Sequence, residues 1–131
     1  MSDLQTPPPA AIDPEVVRNL LPHVPISASQ TVLVTRGAQL IAYRGALKQV
    51  EALDVAVYVQ QEWRDAGQTM RVQFMRLPLS PVSRLLLTFP LRDDHRLILV
   101  DSEDASLDQL RKLSNQLLGV LEVAGMGRKQ L

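Results

Sequence analysis

At 131 residues, with 46% apolar and 21% charged side chains, the chain has enough apolar material for one domain with its own core. Its 14 Lys and Arg residues balance 14 Asp and Glu, and aromatics make up only 4%, which argues against a nucleic-acid surface built on charge or base stacking. Cysteine is absent, so disulfides, thiolate metal sites and thiol nucleophiles are excluded. The first residues lack the basic-then-apolar layout of a signal peptide, and no apolar run approaches the roughly 20 residues that a membrane-spanning helix needs. A cytoplasmic protein of bacterial style, not inserted in a membrane, is the expectation.

Residues 1–11 read as a disordered tail, because Thr6-Pro7-Pro8-Pro9 cannot donate to a hydrogen-bond ladder. Asp13-Pro14-Glu15 is a helix start: Asp can cap, Pro suits the first helical position, and Glu meets the positive end of the dipole. Pro22 and Pro25 keep that helix short. Thr31–Thr35 and Gln39–Tyr43 are β-rich runs on either side of Arg36-Gly37-Ala38, which predicts an antiparallel hairpin turning at Gly37. Gly45 releases the chain into a long helix, predicted over 47–66 and ended by Gly67.

That helix carries two apolar stripes. At roughly 100° per residue, Val50, Leu53 and Val57 share one, while Ala52, Val55, Ala56, Val59 and Trp63 fall nearly opposite. A small domain offers a single helix one sheet face, so a second stripe needs a second partner. Either the first helix or a loop covers it, or another copy of the chain does; the second reading is carried forward.

Three strands follow. Met70–Phe74 alternates as a half-buried strand does, with Arg71 and Gln73 on one face and Met70, Val72 and Phe74 on the other. Arg84–Phe89 and Arg96–Val100 are nearly continuous apolar runs, which places them centrally with both faces covered. Asp93-Asp94-His95 forms the turn between them, and the two prolines in 78–83 mark a longer link. Ser106 with Gln109 three residues on is a capping box for the last helix. Its single stripe runs through Leu107, Leu110, Leu113, Leu117, Leu121 and Ala124, and 125–131 read as a flexible end. One domain over 12–124 is therefore expected, of α+β class.

Residues able to do chemistry are scarce. There is no GxxxxGK[ST] phosphate cradle and no GxSxG nucleophile. His23 reads as a helix-end residue, and Asp93-Asp94-His95 as turn chemistry before metal ligation. Glu51 lies near Lys48, and Glu62 has no evident pair. Arg36, Arg44, Arg64, Arg71 and Arg76 read as surface or strand-edge residues, although an arginine can assist a phosphoryl-transfer partner. The expectation is a non-enzymatic protein without metal or cofactor.

The hairpin Val32-Leu33-Val34-Thr35-Arg36-Gly37-Ala38-Gln39-Leu40-Ile41-Ala42 and the strand-to-helix passage from Leu97 to Leu117 stand within an order α-β-β-α-β-β-β-α. Together they resemble the roadblock/LC7 family of small dimeric adaptors over roughly 13–123. The family commonly has Asp-Gly at the hairpin turn, where this chain has Arg36-Gly37. The resemblance implies a five-stranded antiparallel sheet flanked by helices, with the third strand pairing with its copy and the long helices side by side. On that reading the dimer contact comprises Ala52, Val55, Val59, Trp63, Met70, Val72 and Phe74. It further implies a small Ras-like GTPase as the partner that is regulated or scaffolded. The alternative is a small-molecule sensor of PAS-like or profilin-like type, which would want a polar-dotted cavity or aromatic terminal helices.

Overall fold

The computed structural model describes residues 14–63, 70–77 and 82–123. A short helix α1 (Pro14–Leu20) runs into a tight 3-10 turn at Leu21–His23. The hairpin β1 (Thr31–Arg36) and β2 (Gln39–Gly45) precedes the long helix α2 (Gln49–Glu62). Then come β3 (Arg71–Arg76), β4 (Ser83–Pro90), β5 (His95–Ser102) and α3 (Leu107–Val123). The class is α+β, in the element order that the sequence predicts. The proline-rich tail, the Asp13 cap, Gly67, Arg64, Ala124, most of the 78–83 link and the end of the chain lie outside the described residues.

The sheet is antiparallel with strand order β2-β1-β5-β4-β3. Continuous apolar runs put β5 at the centre and β4 beside it, both buried almost throughout. Alternation then assigns one side chain in two to each face. Val32, Val34, Leu85, Leu87, Leu97 and Leu99 join Val17 of α1 and Leu110, Leu117 and Leu121 of α3 in one cluster. Leu33, Leu86, Ile98 and Val100 meet α2 on the other face. The sheet is thus sandwiched, and each strand inside it pays out apolar contacts in both directions.

Turns and caps follow from local chemistry. Gly37 has φ +56° and Gly45 φ +137°, so both glycines occupy backbone that L side chains rarely adopt. Asp93 and Asp94 turn the β4–β5 hairpin with φ of 57° and 59°, a pair of left-handed residues whose twist matches the flanking strands. The Lys48 N–H donates to Glu51 Oε1 (2.9 Å) at the start of α2, and Gln109 N–H to Ser106 Oγ (3.3 Å) at the start of α3. The buried Asp101 carboxylate accepts from Ser29 Oγ, Gln30 Nε2 and the Ser102 N–H, tying the loop before β1 to the end of β5.

Candidate functional site: an open helix face and a free sheet edge

The long helix does have two apolar faces, but the structure reverses which one is available. Ala52, Val55, Ala56, Val59 and Trp63 are buried, and Ala52, Val55, Val59 and Trp63 pack with Leu33, Leu86 and Ile98 of the same chain. These four candidate dimer contacts are core residues of the monomer. Size and width explain the choice. The five-residue stripe is broader than its three-residue rival, and Ala52 and Ala56 let the helix approach the sheet closely. The stripe left in solvent is Val50, Leu53 and Val57, exposed by 62%, 43% and 44%. It lies on the side of α2 away from the sheet.

The third strand fares differently. Met70, just before β3, is half-buried against the cluster under α1 and α3. Val72 and Phe74 are exposed by 39% and 58%, although their neighbours across the ladder, Leu87 and Leu85, belong to the core. Among the described residues β3 pairs on one side only, with β4, so its other edge presents unpaired backbone groups. On the α2 face beside that edge, Gln73 Nε2 and Arg84 Nε are buried without a hydrogen-bond partner. Buried donors of this kind are normally satisfied, and leaving one unmade costs about 1–3 kcal/mol.

The charged candidates are mostly tied into the fold. Arg44 Nη1 donates to the carbonyls of Leu21 and Val24 and staples the 3-10 turn to β2. Arg71 Nη1 donates to the Glu62 carbonyl, and its Nη2 lies 4.0 Å from the Glu62 carboxylate. Glu62, unpaired in the sequence reading, therefore has Arg71 as its partner. Arg36 faces Asp93 at 3.8 Å across the two hairpin turns. His23 is exposed, while His95 is buried with Nδ1 at 2.7 Å from the Asp93 carbonyl oxygen. The described residues bring together no group of three or more metal-ligating side chains. None of the described helices is long and apolar enough to cross a membrane.

One residue escaped the sequence reading altogether. Arg96 sits at the head of an apolar run yet is 3% exposed, with its guanidinium against Trp63, Gln60 and the Gly37 carbonyl. Its position on the α2 face, two residues from Ile98, was the available signal. Against models of known protein families and against curated proteins, the chain finds no match.

Proposed function

We propose that this chain is a non-enzymatic homodimeric adaptor of roadblock/LC7 type that binds, and regulates or scaffolds, a small Ras-like GTPase. The observation that carries the reading is the exposed apolar stripe Val50, Leu53 and Val57 on a helix whose opposite face already fills the core. Such a stripe costs solubility unless a partner covers it. The outer edge of β3, unpaired among the described residues and with Val72 and Phe74 open beside it, supports the same reading. A second copy offers both a helix for the stripe and a strand for the edge, and a two-fold axis uses each patch twice. The GTPase is inferred from the family resemblance, which is a fold-level argument. Its mechanism would be positional: the dimer surface holds the catalytic loops of the GTPase without adding a reacting group.

Light scattering of the purified protein tests the dimer, which should weigh twice 14.6 kDa. Nucleotide affinity and hydrolysis by small GTPases encoded nearby, with and without the chain, test the partner. A chain that alters neither quantity for any of them is not their regulator.

A further inference from the structure

The sheet has a second open edge. A groove of about 470 Å³ runs beside β2, lined by residues 40–44 together with Arg18 and Leu21 of the α1 segment and Gln49 at the start of α2. β2 carries a register shift: Val34 pairs with Ala42 and Thr35 with Leu40, which leaves Ile41 unmatched. Ile41 and Ala42 pack with the α1-side cluster while Leu40 and Tyr43 pack with the α2-side cluster, so a cavity touching all of them crosses the edge of the strand. Arg18, Leu21 and Pro22 stand on one side of it and Gln49 on the other, and β2, paired only with β1 among the described residues, borders it along its outer edge.

The groove is polarised. Arg18 and Arg44 are its charged residues, and both are cationic, although the chain as a whole carries no net charge. Arg44 stands opposite Val32 and so belongs to the α1 face; its bonds to the Leu21 and Val24 carbonyls fix that charge in the wall. Arg18 is exposed on α1. On the other side, Leu40 and Tyr43 pack with the apolar cluster under α2. Both cationic groups lie on the α1 side, which also carries Leu21, Ile41 and Ala42, and the α2 side carries no charge.

We propose that β2 is a docking edge that takes an extended acidic segment of a partner protein as a sixth strand. The incoming strand supplies main-chain hydrogen bonds along β2. Its alternate side chains divide between the walls, carboxylates toward Arg18 and Arg44, apolar groups toward Leu40 and Tyr43. β2 and β3 are at opposite edges of the sheet, so a strand added to β2 does not compete with pairing of β3 to a second copy. Peptide binding at 40–44 and the oligomeric state are read by separate measurements, so a failure of one is distinguishable from a failure of the other.

The test uses the full chain and a fluorescein-labelled peptide of alternating Glu and Val, read by anisotropy and by amide shifts. Saturable binding with shifts at 40–44 is expected. Arg18→Glu should weaken it roughly tenfold, equivalent to about 1.4 kcal/mol. N-methylation of alternate peptide amides should abolish it while leaving the charge intact. Circular dichroism of Arg18→Glu must match the parent, as an exposed position allows. Equal binding of a Lys-Val peptide, unchanged binding after N-methylation, shifts centred on 71–76, or no binding at all would each overturn the proposal.

Discussion

The guanidinium of Arg96 lies over the indole of Trp63, 5.0 Å from the ring centroid. This contact joins the central strand of the sheet to the residue that caps the C-terminus of α2. Gln60 and the Gly37 carbonyl accept from the same guanidinium, and the Asp94 carboxylate lies 3.9 Å away. A buried cation is expensive to leave without such partners, so the four groups act as a unit. Trp63→Ala should cost about 3–5 kcal/mol, since it removes the ring from the core and uncovers the charge. A double-mutant cycle with Arg96→Met should isolate a coupling of about 1–2 kcal/mol. Urea unfolding of the four proteins checks it, and a coupling near zero would mean the stacking is incidental.

The reversed faces of α2 give a sharper contrast. Val57 is 44% exposed and Val59 is 1% exposed, two residues apart on one helix. Val59→Glu should unfold the protein, because it buries a carboxylate without a partner. Val57→Glu should leave the circular dichroism and melting temperature of the monomer almost unchanged. If the outward stripe is the dimer contact, the same substitution halves the mass seen by light scattering. A folded dimer in Val57→Glu would exclude this stripe from the interface.

The start of α2 depends on two side-chain facts at one point. Gly45 has φ +137°, and a Cβ there would lie 2.5 Å from Thr31 Cα and 2.9 Å from Thr31 Oγ1. That same hydroxyl oxygen accepts the buried Leu47 N–H at 3.0 Å. Gly45→Ala should therefore cost about 3 kcal/mol or more through clash and backbone strain. Gly37→Ala should cost only about 1–2 kcal/mol, as a left-handed alanine with no close contact. Thr31→Val should lose about 1–3 kcal/mol by orphaning the amide, whereas Thr31→Ser should keep most of it. Thermal melts of the four variants rank these costs, and equal effects at Gly37 and Gly45 would contradict the steric account.

Element order was readable because each strand is marked by its own composition. Arg84–Phe89 and Arg96–Val100 could be placed centrally from their unbroken apolar runs, and Gly37 and Asp93-Asp94 from the demands of tight turns. The facing of α2 was only partly readable. Periodicity reports two stripes and shows that one is broader, but the close approach that seats the broader stripe depends on the small profile of Ala52 against Leu33, Leu86 and Ile98, which belong to other elements. The same limit applies to the residues named for a dimer contact. Val72 and Phe74 are exposed, while Ala52, Val55, Val59 and Trp63 are buried in the core. Arg96 was hidden because its neighbours in sequence, His95 and Leu97, say nothing of Gln60 and Trp63, which reach it from a separate element.

The sheet also contains polar atoms that oppose its stability. Thr88 is fully buried on the α2 face opposite Ile98, and its Oγ1 has no hydrogen-bond partner. Thr35, 1% exposed at the far end of β1, has the same defect. Valine has nearly the same shape and also favours strands, so it removes the buried hydroxyl without leaving a cavity. Thr88→Val should stabilise the chain by about 1 kcal/mol, since the desolvation cost disappears and no partner is orphaned. The double variant with Thr35→Val should add a similar increment, because the two side chains do not face each other in the strand ladders. Denaturant midpoints decide the matter. A loss of stability in Thr88→Val would mean that the hydroxyl has an acceptor in solution, and the α2 face would then be wetter than its apolar cluster implies.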